Sequence, residues 1–370
     1  MHSSASRQMT TLSSSMQADL ELERSSEEEC LASFWHQATP GTTYYRCYLP
    51  AKYLPGQNLT LRPDDMDWDT DEDRLVMPRQ RGVAVWQFLG DPWRSKLAWG
   101  QQEHLGLRVL MEVDDNYTVP VPPAPGRPIP WSKTIAESMR PGRSGYSYEM
   151  HRQILPTFDA IIVSTPYLKR VYDDFNDNVF VCRNQVDPTD WDDLEPKDPE
   201  VLRIVYSGSP SHWHDAPYVT KALKWAARQP GVEVWVQGFQ PPWGFARFVP
   251  WTTSLAEYRR KLGSFDVGVA PLKASKWANG KSDLKALEYG MAGVLPLLAE
   301  EEPYREFLEV FPELGVESDE RAWVDAIKRV VKNRDEVAGR AAAVKQYVLD
   351  HRTIDNPKNI EAWKVAITGA

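Results

Sequence analysis

Cysteine is scarce in this chain of 370 residues. The three copies, Cys30, Cys47 and Cys182, are far apart and odd in number, which excludes a disulfide framework and a cysteine-based zinc site. Their scarcity fits a reducing, cytoplasmic setting. Positive charge is also short: 43 Lys and Arg against 52 Asp and Glu leave a net charge of −9, arguing against a broad nucleic-acid or membrane-surface footprint. A small basic pocket remains compatible with that balance. No apolar stretch approaches the roughly 20 residues of a membrane span. Residues 1–30 carry no hydrophobic signal core and are rich in Ser, Glu and Met, so they are expected to form a disordered polar tail outside any site. Tryptophan, by contrast, is abundant at 15 copies. Indoles fill cores and also stack on the C–H faces of sugars, so the count lends a carbohydrate ligand only weak support.

Short apolar runs alternate with helical patterns along the chain. Candidate strands are 83–88, 107–113, 159–164 and 179–183, then a second set at 202–207, 232–238, 265–272 and 294–299. Helical segments fall at 165–175, 216–229 and 254–263, and a long helical period covers 321–351. Strand–helix–strand alternation predicts parallel sheets with right-handed crossovers, an α/β chain. The acidic stretch DPTDWDDLEPKDPE, with three prolines and no periodicity, reads as a linker at 188–200. The length suits two domains, placed at 31–187 and 201–350, with a last short helix within 351–370. A loop with six prolines in the thirteen residues 119–131 is stiff and extended, a lid over a cleft or a plain surface loop.

The richest stretch is FDVGVAPL followed by KSDLKALEYGMAGVLP. Lys281, Lys285 and Glu288 stand at i, i+4 and i+7, within roughly 60° of helical arc, so they are expected on one helix face. Leu284, Leu287 and Met291 form a separate apolar stripe. Two cations and a carboxylate at a helix start after a strand suit a ligand with phosphate and ribose groups, the carboxylate accepting from hydroxyls. A solvated helix face with charge pairs is the alternative. In LRIVYSGSPSHWHD, an apolar strand runs into Gly208 and Ser209, and a helix starts near Asp215. Free amides there could cradle a phosphate, and His212 and Asp215 could face a cleft. Two other readings are a metal site of His212, His214 and Asp215, and a plain Asp cap with surface histidines. LMEVDDNY ends a strand on Asp114 and Asp115, either a closing loop or a carboxylate facing the cleft. Thr165 or Ser164 before Pro166 is a helix N-cap, Asn184 ends the first strand set near the cleft, and Arg46 is either a cleft cation or a surface arginine.

In order, YYRCYLPAKYL, EVDDNY, FDAIIVSTPYLKRVY with NVFVCRNQVD, YSGSPSHWHD, FDVGVAPL and KSDLKALEYGMAGVLPLL resemble the GT-B glycosyltransferases, specifically the family 4-like group of bacteria and their phages. The resemblance spans about residues 43–310 and is most specific in the second half. It implies two Rossmann-like domains facing across a cleft, with the C-terminal helix crossing back to the first domain. It further implies a nucleoside-diphosphate-sugar donor on the second domain and an acceptor of unknown identity on the first. Activity would retain anomeric configuration, with no obligatory cofactor or metal, in a bacterial or phage-infected cytoplasm. By position, Glu288 matches the second glutamate of the family's Glu-x7-Glu motif and would hold the donor ribose; the first would fall at 280, where this chain has Gly280. A related pattern, K-S-x-x-K-x-x-E, matches at Lys281, Ser282, Lys285 and Glu288, so the lysines and the amides near Ser282 would neutralise the leaving diphosphate. Gly208 and Ser209 complete the expected nucleotide-binding set, and His212 and Asp114 are the candidates for catalysis. Asp114–Asp115 is also similar to the acidic metal-holding motif of another glycosyltransferase fold. Rival functions are a catalytically silent sugar-nucleotide or glycan binder and a nucleotide-sugar epimerase. DNA glucosylation, which shares this fold, is disfavoured by the acidic balance.

Overall fold

The computed structural model describes residues 32–36, 40–56, 58–62, 82–87, 92–119, 148–209, 212 and 214–369; the tail expected over 1–30 and the proline-dense loop beyond residue 119 lie outside them. The strands are β1 (Ala32–Trp35), β2 (Leu59–Leu61), β3 (Val83–Gln87), β4 (Arg108–Val113), β5 (Ala160–Val163) and β6 (Val179–Val181) in the first half. The second half has β7 (Leu202–Ser207), β8 (Val232–Gly238), β9 (Arg247–Pro250), β10 (Val267–Ala270), β11 (Leu295–Ala299) and β12 (Gly315–Val316). Among the described residues these form two six-stranded sheets, ordered β2-β1-β3-β4-β5-β6 and β12-β11-β10-β7-β8-β9. Every pairing within them is parallel. Each is a doubly wound, Rossmann-like sheet whose strand order reverses once, between β1 and β3 and between β7 and β10; ligands of such sheets bind outside the strand C-termini at that reversal.

Burial on both faces explains the near-continuous apolar strands: β5 reads AIIV and β11 reads LPLLA, buried throughout. The helices are α1 (Pro40–Thr43), α2 (Leu49–Tyr53), α3 (Pro92–Leu105), α4 (Tyr148–Ile154), α5 (Pro166–Tyr172), α6 (Ala216–Ala226), α7 (Leu255–Leu262), α8 (Leu284–Met291), α9 (Arg305–Val310), α10 (Glu320–Lys332), α11 (Val337–His351) and α12 (Pro357–Thr368). Several start on side-chain caps. The Thr165 oxygen accepts from the Leu168 amide before Pro166, and Ser254 accepts from Glu257. The helical period over 321–351 is shared by two helices. Asn333 leaves helical geometry at φ −110°, ψ 40°, and a 3₁₀ turn at Arg334–Glu336 restarts the chain in a new direction.

The stretch 188–200 joins the two sheets, and it is pinned rather than loose. Trp191 is buried, and Asp190 takes a hydrogen bond from Tyr44 and an ion pair from Arg259 at 2.8 Å. The chain then returns to the first sheet, as expected. Thr353 bridges Val186, and α12 lies against β6 and α2. Trp363 anchors it: the indole is buried under the Arg46 guanidinium at 5.0 Å and meets Phe34 edge-on at 6.2 Å. Trp363→Ala should cost about 3–5 kcal/mol, the usual loss for a buried aromatic, read as a lower urea midpoint at unchanged slope. An unchanged midpoint would mean that α12 adds little to the first domain.

Candidate functional site

The C-terminal ends of β7 and β10 open into a cavity of about 260 Å³ between the two sheets. That is just under the roughly 300–1,000 Å³ of small-molecule pockets, because side chains from both halves already meet across it. The expected nucleotide-binding set and both catalytic candidates reach this cavity: Gly208, Ser209 and His212 after β7, Lys281 and Ser282 before α8, Lys285 and Glu288 on α8, and Asp114 after β4, whereas His214 and Asp215 do not line it. A more open groove of about 620 Å³ beside β6 and α12 is lined mainly by apolar side chains and brings no such set together.

One expectation about local structure is corrected. Lys281 is not on the helix; it is extended at φ −67°, ψ 157°, three residues before α8 begins, following a 3₁₀ turn at Ala278–Gly280. It reaches the cavity from the loop and pairs with Asp115 across the cleft at 3.6 Å. Lys285 and Glu288 do share a face of α8. The Lys285 ammonium donates to the Ser207 carbonyl, and its burial pushes it down to about 8. Glu288 accepts from Tyr45 at 2.9 Å and from Tyr258 at 3.0 Å, one phenol from each half of the molecule. Burial raises its carboxyl above the ordinary range, against the pull of Lys285. Each oxygen keeps a further lone pair for a ligand hydroxyl. The solvated-face reading of this motif therefore fails.

The loop after β7 differs from expectation in its amides and its acid. The Gly208 amide already donates to the Gln237 carbonyl at 3.0 Å, so it is not a free phosphate donor. What the glycine supplies is space: a Cβ at 208 would sit 2.5 Å from His212 Cδ2 and 3.1 Å from Lys285 Nζ. Asp215 precedes α6 but does not cap it; its carboxylate accepts from the Lys273 amide at 2.8 Å and faces His212 Nδ1 at 3.1 Å. Burial beside Lys285 holds the His212 imidazole down at about 4. A neutral ring that donates from Nδ1 to Asp215 presents Nε2 as a proton acceptor. Among the described residues no group of three His, Cys, Asp or Glu is placed to hold a metal ion.

The first-domain wall carries Asp114 and Asp115. Asp114 accepts from Tyr117 at 3.3 Å, and burial pushes the Asp115 carboxyl up to about 7, against the pull of Lys281. Arg46 is no surface arginine. It is fully buried in a π-helical turn at Tyr44–Tyr48, bonded to Glu112 at 2.5 Å, to the Cys182 carbonyl and to Asn184. Asn184 in turn donates to Ser282 at 2.7 Å, tying the first domain to the loop that bears Lys281. Tyr45 and Tyr258 were not identified from sequence: a tyrosine in YYRCY and another in a plain amphipathic helix carry no spacing signal. The departure at Gly280 has a steric cause. A Cβ there would lie 2.7 Å from Asn116 Cβ and 2.8 Å from the Asn116 amide nitrogen, a backbone atom that cannot swing aside. Gly280→Ala should therefore destabilise by about 1–3 kcal/mol, with Asn116→Gly restoring part of the lost melting temperature. Full stability of Gly280→Ala would show that the two halves are not pressed together there.

This architecture, two Rossmann-like domains across a cleft with a helix crossing back, is the GT-B fold. No family model and no curated protein matches the sequence. Among solved structures, HepE of Anabaena, crystallised with UDP and glucose, superposes with a TM-score of 0.62 at 8% identity over 92% of this chain and 100% of that one. The E. coli trehalose-6-phosphate protein bound with UDP-2-fluoro glucose matches at TM-score 0.53 and 12% identity, over 78% of this chain and 73% of that one. TarM of S. aureus, solved with UDP, matches at TM-score 0.52 and 10% identity, over 77% and 55%. At such identities the likeness is one of fold.

Proposed function

We propose that this chain transfers a sugar from a nucleoside-diphosphate-sugar donor to an acceptor, with retention of anomeric configuration. The observation that carries the reading is the convergence of Lys281, Lys285 and Glu288 on one cleft at the β7/β10 reversal. Structures of similar fold hold UDP, and a study of trehalose-6-phosphate synthase, also similar in fold, describes its glycosyltransfer as retaining. The free thiols Cys47 and Cys182, both buried, suit a reducing cytoplasm.

In this mechanism the bond between the anomeric carbon and the diphosphate oxygen breaks, and its electron pair leaves with the diphosphate. Lys281 and Lys285 neutralise that developing charge where water is largely excluded. Glu288 holds the ribose hydroxyls, at an orientation set by Tyr45 and Tyr258. The acceptor oxygen bonds to the anomeric carbon, and its proton passes to His212 Nε2 or to Asp114. Both remain candidates for that role, His212 because its ring is held neutral.

A thermal-shift screen over UDP-, GDP-, ADP- and dTDP-sugars tests the donor site. A true ligand at 100 times its dissociation constant adds about 2.7 kcal/mol of stability, and no shift with any of them would defeat the reading. Lys281→Ala should weaken the best donor by about tenfold or more, since a charge-assisted contact is worth about 1.5–3 kcal/mol. Release of nucleoside diphosphate in a single turnover separates transfer from mere binding. Donor affinity should also depend on pH through Lys285. Its ammonium is charged below about 8, so affinity should be level below that pH and fall by up to about tenfold per unit above it. Calorimetric titration at pH 7 and 9 reads this; a flat profile would remove Lys285 from the anion site.

A further inference from the structure

We propose that Asn184, itself held by Arg46, is a positioning residue that aims the Ser282 hydroxyl at the donor diphosphate. This rests on the donor reading above and gives the first domain a part in an anion site built on the second. Asn184 follows β6, is 5% exposed, and lines the cavity together with Arg46 and Ser282. Three of its groups are engaged at once. Its side-chain oxygen accepts from Arg46 Nη1 at 3.2 Å, and its side-chain nitrogen donates to Ser282 Oγ at 2.7 Å. Its backbone carbonyl accepts from Arg352 at 3.2 Å, and Arg352 grips Asp283, the residue after Ser282. One residue of the first domain thus holds two consecutive positions of the loop between Lys281 and Lys285.

This chain of bonds has a direction. A guanidinium can only donate, so the Asn184 atom facing Arg46 is the oxygen, and the NH₂ group faces Ser282. Arg46 itself is fixed. It is fully buried, bonded to Glu112 at 2.5 Å and to the Cys182 carbonyl, with its face over the Trp363 indole at 5.0 Å. Ser282 Oγ therefore accepts from Asn184, and its own proton is left for another acceptor. Among the described residues no other group bonds to Ser282. The hydroxyl lines the cavity with Lys281 and Lys285, so the oxygen that completes the chain is one that those cations also attract, a phosphate oxygen. Bonds in such a chain polarise one another, so the fixed charge of Arg46 strengthens the last donor.

Asn184→Asp separates aiming from mere tying. The new carboxylate has the shape of the amide and accepts from Arg46 as before, but it has no N–H for Ser282. The Ser282 hydroxyl then donates to that carboxylate: the two halves stay joined, and the proton is turned away from the cavity. The test is calorimetric titration of UDP, GDP, ADP and dTDP into full-length wild type, with the tightest carried through S282A, N184D and N184D/S282A. S282A and N184D should each bind it about tenfold or more weakly, the loss of a hydrogen bond to a charged group. The double variant should bind as S282A does, because no hydroxyl is left to turn. N184A, taken through the same cycle, should also weaken binding only where Ser282 is present, and it decides the matter should melting curves show N184D unfolded. If wild-type protein binds no nucleotide, the donor reading itself fails. Nucleotide binding equal in wild type and the Asn184 variants would overturn the positioning role alone and leave Asn184 a tie between the halves. A further loss from N184D in the S282A background would overturn it too, assigning the effect to repulsion by the carboxylate.

Discussion

The ion pair of Arg352 with Asp283 holds the site together. Arg352 ends the long C-terminal helical region, and Asp283 immediately precedes α8. The guanidinium grips both carboxylate oxygens and also donates to the Asn184 carbonyl of the first domain. All three residues are buried. Two charges out of water are tolerated only with full geometry, and removal of either partner of such a pair strands the other at a cost of about 3–5 kcal/mol. The pair therefore fixes three things together: the start of the helix bearing Lys285 and Glu288, the point where the chain turns back, and the edge of the first domain.

A second tie joins the second domain to the stretch between the sheets and to the first domain. Arg259 of α7 is stacked against Tyr44 at 4.6 Å and Trp191 at 5.5 Å, while paired with Asp190. Stacked, paired guanidinium is how proteins bury an always-charged group. The cavity takes Lys281, Lys285 and Glu288 from the second domain and Arg46, Asp114 and Asp115 from the first. Lys281 and Asp115 face each other across it at 3.6 Å, one from each half. The cations of the pocket are thus matched locally by carboxylates, an arrangement invisible in a net charge of −9.

Much of this was legible in the sequence because it rests on local rules. The buried strands β5, β7, β8 and β11 advertise themselves as apolar runs, and Thr165 with Pro166 spells a helix start. The strands β1, β2, β9 and β12 were missed; they are only two to four residues long, too short for a period. The lysines and Glu288 were found, yet Lys281 was placed on a helix, since spacing alone cannot show that the helix begins later. Arg46, Tyr45 and Tyr258 take their roles from partners 66 to 243 residues away, or from another helix altogether. Gly280 could be seen as a departure, but its reason, the backbone of Asn116, is purely tertiary.

Glu288 receives one phenol from each half of the molecule, and this makes it a gauge of cleft width. When the halves part, the Tyr45 hydroxyl withdraws while Tyr258, on the same half as Glu288, stays. The carboxylate then loses one of its two phenol donors in the very act of opening, and with it the orientation that the pair imposes. The seam between the halves and the set of the Glu288 carboxylate thus meet in one side chain, so whatever shifts either shifts the other, in both directions, by linkage.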